Sequence, residues 1–436
     1  MGVRRQGGDP SIGYDDSWYY ATAKGLARHP QLTESIDADV CIVGAGYTGL
    51  SAAIELAEQG YKVVVLESHR VGAGASGRNG GVLGMGQRKD QDELEAMLGF
   101  ETARRMWQVA CDANALVRDR IQRYSIDCDL TDGELHVAHR ARYVDDLRRY
   151  NDHLLSRYGY TDRRYVSQAE VQDMLGVDTF YGGSLDLRSA HLHPLNLTLG
   201  LARAAVTLGV QIFEQSAVLD YQNPATDRVI ATTAAGQVKS KFLVLACNGY
   251  LGKLDRDVGA YQMPINNFIL ATEPLGADRA QKINRDNVAV VDSRFVVNYF
   301  HNSPDGRLIF GGGENYSPFF PQDLKGFVRR HMLEVYPQLA DVRVDYAWGG
   351  TLAITMRRMP NFGRSGQNIY WAQGYSGHGI AMANMGGKLI AEAIAGQAAR
   401  FDLFADFRHL PFPGGRWLRW PALVAGMLYY ALLDRL

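Results

Sequence analysis

Two periods of apolar spacing alternate along this chain, and the switches between them lay out its elements. Residues 40–43 (VCIV) and 61–66 (YKVVVL) are short apolar runs rich in β-branched side chains. Runs of that kind predict strands buried on both faces. Between them, residues 50–59 place apolar and small residues at helical spacing, which predicts a helix with a close-packing face. Residues 93–122 repeat apolar positions with a helical period over a longer stretch. The segments 263–273 (MPINNFILATE), 293–301 (SRFVVNYFH) and 306–313 (GRLIFGGG) read as strands. Near the other end, residues 369–372 read as a strand, and a glycine turn leads into a helix that ends near Gly396.

Glycine marks the turns between these elements. Gly44, Gly46 and Gly49 follow the first strand at GxGxxG spacing. The first allows a tight turn, the second a close approach to a pyrophosphate, and the third close packing of helix on strand. Glu67, with Ser68 beside it, ends the second strand and is placed to accept hydrogen bonds from a ribose, while repelling a 2′-phosphate. Strand, helix, strand and terminal acid in register point to a dinucleotide site.

A second glycine-rich loop follows at once. Residues 71–81 read VGAGASGRNGG, with Ser76, Arg78 and Asn79 as side-chain donors among Gly77, Gly80, Gly81 and Ala75. A nicotinamide domain would run on into its crossover helix here. Small residues and main-chain donors suit a longer cofactor, whose ribityl chain and ring continue past the pyrophosphate. An Arg and an Asn in a glycine run are costly to bury without partners, which argues against an idle loop. In the last motif, GYSGHG at 374–379, the turn aims another helix N-terminus at a ligand. In a flavoenzyme the useful target is the pyrimidine end of the ring, where negative charge collects on reduction. His378 is a candidate charge partner there, or a structural turn residue. A second GxGxxG is missing, so the electrons are expected from an organic substrate rather than from NAD(P)H.

Composition narrows the partners. Lys plus Arg number 46 against 47 for Asp plus Glu in 436 residues, a net charge of −1 that gives no electrostatic case for nucleic acid. The four cysteines form no CxxC pair, which suits a reducing compartment and no structural zinc. His191 and His193 lack carboxylates or cysteines nearby in sequence and read as structural, so no metal is expected. The first 20 residues carry no apolar core of a signal peptide, and a cytoplasmic location is expected. An apolar stretch from Trp420 to Leu433 is shorter than the roughly 20 residues of a membrane span. Membrane contact through this tail competes with the reading of a helix docked on the protein's own surface, and the second is preferred.

Taken in order, SWYYATA, the GxGxxG unit, GASGRNGG, HLHPLNLTLGLARAAVTLGV, VLACNGY, FILATEPL, DGRLIFGGG, AWGGTLAITMRRMPNFG and GYSGHGIA span nearly the whole chain. On these motifs the chain resembles the FAD-dependent D-amino-acid-oxidase superfamily, and within it the gamma-glutamylputrescine oxidase-like amine oxidoreductases. The resemblance implies an α/β fold: a Rossmann-like FAD-binding domain of the glutathione-reductase type, interleaved with an α+β substrate domain containing an antiparallel sheet. It implies FAD-binding segments at 37–95, 160–258 and 340–400, substrate segments at 96–159 and 259–339, and a tail helix at 401–436. It places the pyrophosphate on Ala45, Gly46, Tyr47 and Thr48, and the ribose on Glu67. Residues 75–81 would follow the ribityl chain. Val218 would lie near the adenine, Cys247, Asn248 and Gly249 would form a further glycine turn, and Gly349, Gly374, Gly377, Gly379 and Ile380 would border the ring.

Departures from the family carry information too. Between Gly349 and His378 there is no cysteine, and Arg78 stands where histidyl-linked relatives have their histidine. The FAD is therefore expected to be non-covalent. Ala381 occupies the position of a lysine that holds an α-carboxylate in sarcosine-type relatives. The implied reaction is oxidation of an amine C–N bond by hydride transfer to flavin N5, giving an imine and then an aldehyde plus amine. Gamma-glutamylputrescine or a related polyamine derivative is the expected substrate, and oxygen or another acceptor takes the electrons. A secondary-amine or amino-acid dehydrogenase or oxidase (N-methyl amino acid or pipecolate-like) using a non-oxygen acceptor, and a non-catalytic flavoprotein, are the alternatives. Tyr299, Trp348, Tyr375 and His378 are the candidate catalytic residues, the aromatic ones as pocket walls for an amine.

Overall fold

The structure is a computed structural model that describes residue 9 and residues 14–315 and 319–413. The apolar stretch from Trp420 to Leu433, and with it most of the expected tail helix, lies outside the described residues. Among the described residues no helix is long and apolar enough to cross a membrane.

A six-stranded sheet runs in the order Asn361–Ser365, Ile369–Gln373, Phe242–Leu245, Val40–Val43, Val63–Leu66, Gln211–Phe213. All its neighbours are parallel except the pair at the Asn361–Ser365 edge. Strand alternation explains why its strands read as unbroken apolar runs. Val40, Ile42, Val63 and Val65 face a core shared with helices Tyr47–Glu58, Pro194–Thr207 and Gly379–Ile394. Cys41, Val43, Val64 and Leu66 face a four-stranded sheet made of Ser35–Asp37, Gln237–Ser240, Arg228–Thr232 and Asp220–Ala225. Fully burying one such Val or Leu contributes about 1.5–3 kcal/mol, so both faces hold the layer together.

The third sheet is the largest. Its order is Val344–Ile354, Met263–Thr272, Leu308–Asn315, Tyr299–Asn302, Ala289–Asp292, Thr131–Val137, Gly182–His191, Val82–Leu83, with Arg163–Ser167 also paired to Gly182–His191. It is antiparallel apart from the Ala289–Asp292 and Thr131–Val137 pair. One face sends Leu135, Val137, Phe268, Leu270, Phe300, Leu308 and Phe310 into a separate core with helix Leu324–Val335. Alternation then turns Glu134, His136, Asn267 and Tyr299 toward the parallel layer, and the site lies between the two. Val82–Leu83, directly after the second glycine loop, pairs with His191 and Ala190 and so ties that loop to the large sheet.

Helix Phe100–Arg123 packs on Gly379–Ile394 and reaches Tyr47–Glu58 through side chains. Arg120, buried on this helix, donates to Ser51 Oγ (2.7 Å), Asn384 Oδ1 (3.1 Å) and Glu55 Oε1 (2.8 Å), and Lys388 closes on the other Glu55 oxygen at 2.9 Å. A buried guanidinium needs such a full set of acceptors.

The strand expected over 293–301 is shorter than its alternation suggested, covering only Tyr299–Asn302. Asp292 is the cause. Its Oδ1 accepts from the Arg294 and Asn298 amides (3.1 and 3.0 Å), folding the intervening residues into a loop over the cavity.

Candidate active site

Both glycine-rich turns open onto one cavity of about 1100 Å³, slightly above the roughly 300–1,000 Å³ range of ligand pockets. It starts where strand Val40–Val43 gives way to helix Tyr47–Glu58. Gly44 leaves the strand at φ +109°, a conformation costly for other residues. A Cβ at Gly49 would sit 1.9 Å from the Gly44 carbonyl oxygen. Gly44 to Thr48 line the cavity, whereas Gly49 packs behind them. The helix has no side-chain cap and no acidic residue in its first turn. Its positive end therefore faces the cavity, a ready anion site.

The second loop braces the first. Ser76 Oγ accepts from the Tyr47 amide (3.0 Å). Glu67 accepts from the Ala45 amide (2.9 Å) through one oxygen, and from the His69 amide and the Ser68 hydroxyl through the other. Burial pushes the Glu67 carboxyl above the usual range, while these three donors pull it back. Arg78 and Asn79, though they border the cavity, direct donors to main chain. Arg78 Nε donates to Ala73 O (2.6 Å) and its NH1 to Gly349 O (3.1 Å). Asn79 Nδ2 donates to Ala75 O and Ser76 O, and its Oδ1 accepts from the Gly81 amide. The loop's polar residues thus solve their own burial problem by fixing its shape.

Further along, Tyr299 forms part of the wall, its hydroxyl 2.5 Å from Asn267 Oδ1. Glycine makes room for the ring on both sides, since a Cβ at Gly80 or Gly311 would come within 2.2 or 2.0 Å of it. Trp348 is 1 % exposed and stands behind the wall, not in it: its indole N–H donates to Arg78 O (3.1 Å) and its ring packs on Tyr19. The same alternation turns Gly349 away and brings Gly350 to the cavity. Tyr375 borders the cavity, but its hydroxyl is tied to Thr48 Oγ1 (2.6 Å), linking the last motif to the first turn.

Gly377 to Ile380 line the cavity at the uncapped N-terminus of helix Gly379–Ile394. His378 Nε2 donates to Met85 O (3.2 Å). Burial and then Arg88 hold its pKa down to about 4, so the imidazole is neutral near pH 7; of the two readings, this favours the structural turn residue over the charge partner. Ser68, Ala75, Ser76, Val218, Cys247 and Asn248 also line the cavity. Gly77, Gly81, Gly249 and Gly374 lie behind the wall, letting neighbouring chain approach closely.

Where the cavity meets the large sheet its lining is a polar chamber of side chains. Glu134, His136, Asp186, Ser189, Asn267 and Arg163 face it, and Arg88 borders it. None of these was among the candidates from sequence. The available signal was alternation itself: in 131–137 (TDGELHV) and 182–191 (GGSLDLRSAH) a polar residue at every second position marks a solvated or ligand-facing side. Among the described residues no cluster of His, Cys, Asp or Glu is arranged to hold a metal ion.

Residues 39–393 match the model of a family described as FAD dependent oxidoreductase. The chain belongs to that family. It is 41% identical to the Gamma-glutamylputrescine oxidoreductase of Escherichia coli K12, over 97% of this chain and 99% of that protein. It is 40% identical to a Probable oxidoreductase OrdL of Rhizobium meliloti, over 98% of each. Among solved structures, glycine oxidase from Geobacillus kaustophilus superposes with a TM-score of 0.72 at 20% identity, covering 86% of this chain and all of that one. This fold is therefore that of an FAD-dependent oxidoreductase, and FAD is its cofactor. The structure fits it. Two uncapped helix N-termini, a first turn that a side chain would block, and a long cavity joining them are what a dinucleotide with an attached ring requires.

Proposed function

We propose that this chain oxidises the C–N bond of an amine, and that gamma-glutamylputrescine or a closely related N-acylated polyamine is the substrate. One observation carries the reading: the cavity that the nucleotide turn opens onto is also lined, on the large sheet, by two carboxylates, Glu134 and Asp186, with the guanidinium groups of Arg163 and Arg88 beside them. Glu134 and Asp186 suit a cationic nitrogen. Arg88 and Arg163, which form no ion pair among the described residues, suit a remote carboxylate such as a glutamyl head group carries. The near full-length similarity to the Escherichia coli enzyme supports the same substrate class.

The residues have separable tasks in this reading. Ala45 to Thr48 and the helix behind them would hold the phosphates, Glu67 the ribose, and residues 75–80 with 377–380 the flavin and its ribityl chain. FAD, non-covalently bound, supplies the two-electron acceptor that takes hydride from the carbon next to nitrogen. Tyr299, steadied by Asn267, shapes the reacting end, and the neutral His378 adds no positive charge to repel an arriving amine. Hydride loss draws on the nitrogen lone pair, so an amine that arrives as the ammonium first gives a proton to a carboxylate or to water. Water then hydrolyses the released imine to the aldehyde and ammonia, or to the aldehyde and an amine where the nitrogen carries a second carbon.

The test is the visible spectrum of purified enzyme mixed anaerobically with gamma-glutamylputrescine, then opened to air. Bleaching of the flavin band is the expected result, and a band that never changes would overturn the substrate. Recovery in air identifies an oxidase. Bleaching that persists identifies a dehydrogenase with another acceptor.

A further inference from the structure

We infer that Glu134 is the residue that recognises the cationic nitrogen of the amine, a specificity role that deepens the proposed function and rests on it. Strand Thr131–Val137 sends Leu135 and Val137 into the core and Glu134 and His136 onto the cavity. A methyl group at Gly84 would touch both Glu134 Oε2 (3.2 Å) and His378 Nε2 (3.1 Å). The carboxylate therefore stands beside the turn that heads helix Gly379–Ile394. Ala381, on the same helix, borders the cavity with only a methyl group.

A second carboxylate comes from the neighbouring strand. Asp186 Oδ1 accepts from the Tyr160 hydroxyl (2.8 Å) and from the Arg188 and Ser189 amides (3.0 and 3.1 Å). Among the described residues neither Glu134 nor Asp186 forms an ion pair. Arg163, the nearest cation in influence, donates through Nε to Ser184 Oγ (2.7 Å) and lies over the Tyr150 ring. Three donors and Arg163, opposite it on the next strand, already answer the Asp186 charge, whereas Glu134 has Ser189 as a hydrogen-bond donor and the like charge of Asp186 beside it. A buried carboxylate in that position is costly unless a ligand provides a cation. An ammonium group does so. A substrate with a carboxylate on the reacting carbon would instead bring like charge against both, which selects against α-amino acids.

Burial, and then the charge of Asp186, push the Glu134 carboxyl up to about 6. It is mostly ionised at neutral pH and loses its charge as pH falls through that value. The other groups around it are Asp186 on the neighbouring strand, Arg163 on the strand beyond, His136 from its own strand, His378 from the adjoining turn, and Arg88. Burial holds His136 down to about 3 and His378 to about 4, so both remain neutral through this window.

The holoenzyme is titrated with tert-butylammonium, which has the charge but no hydrogen on the carbon next to nitrogen, and with tert-butanol as neutral isostere. Binding is read from the flavin absorption difference spectrum and by calorimetry. Wild type should prefer the ammonium, and Glu134→Gln should weaken it by about tenfold, the worth of one charged hydrogen bond, leaving the alcohol unchanged. Glu134→Asp should stay within about threefold of wild type, since it keeps the charge. Ammonium affinity of the wild type should also fall as pH drops below about 6, a measurement that needs no variant. Equal affinity of wild type for ammonium and alcohol, or unweakened binding by Glu134→Gln, would overturn the assignment. Because tert-butylammonium is not turned over, these readings stand even if gamma-glutamylputrescine fails to bleach the flavin, a result that would sink the substrate alone.

Discussion

At the nucleotide end of the cavity, Gly44 to Thr48, the groups turned inward come largely from main chain, as they do again from Gly377 to Ile380; on the large sheet, beside that second turn, they are side chains of Glu134, His136, Asp186, Asn267 and Tyr299, carried by four strands. A site made of main-chain amides demands little of side-chain chemistry and much of local backbone shape. That shape is written in glycine spacing over a few residues. A site made of side chains demands that distant strands pair in one register, because a slip of one residue turns every side chain to the other face. The two ends should therefore fail differently when altered.

The largest effect is expected at the main-chain end. Gly49→Ala puts a Cβ 1.9 Å from the Gly44 carbonyl oxygen, a backbone atom that cannot step aside. Overpacking of this kind costs about 1–3 kcal/mol, and here it moves the turn that would meet the phosphates. The purified variant should carry little FAD, measured by the ratio of absorbance in the flavin band to that at 280 nm. Normal flavin content would show that the turn tolerates displacement and that the anion site lies elsewhere.

The same contrast decides what could be read from sequence. The first strand, the GxGxxG turn, Glu67, and the final turn and helix are local features, and they stand where expected, the first helix beginning a turn earlier at Tyr47. The second loop lines the cavity as expected, yet Arg78 and Asn79 brace their own backbone. Trp348 and Gly349 fell on the wrong side of a strand whose facing depends on its pairing with Met263–Thr272. Glu134 and Asp186 meet because Thr131–Val137 and Gly182–His191 pair across a register shift, a non-local fact with no signature in either segment alone.

A medium effect should separate the ends cleanly. Tyr299→Phe removes the hydroxyl bonded to Asn267 Oδ1 but keeps the ring that fits between Gly80 and Gly311. Loss of one neutral hydrogen bond costs roughly 1 kcal/mol, so kcat/KM for the amine should fall about fivefold. Flavin content should not change. If FAD is lost along with activity, the chamber and the nucleotide end are not independent, and the contrast between them fails.

The smallest effect concerns how the cofactor is held. If main-chain donors and helix ends suffice, no covalent bond is needed, and acid or heat denaturation should release all the flavin into the supernatant as FAD. Cys247 is the one cysteine bordering the cavity among the described residues, its Sγ 3.5 Å from Val43 O, and burial pushes its thiol up to about 12. A thiol that stays protonated is a poor nucleophile. Cys247→Ala should therefore leave flavin content and rate within about twofold of wild type, well under 1 kcal/mol. Colour that stays with the precipitated wild type, and leaves it in Cys247→Ala, would mean a bond is doing what the backbone was thought to do. The glycine turns would then shape the site without being enough to hold its occupant.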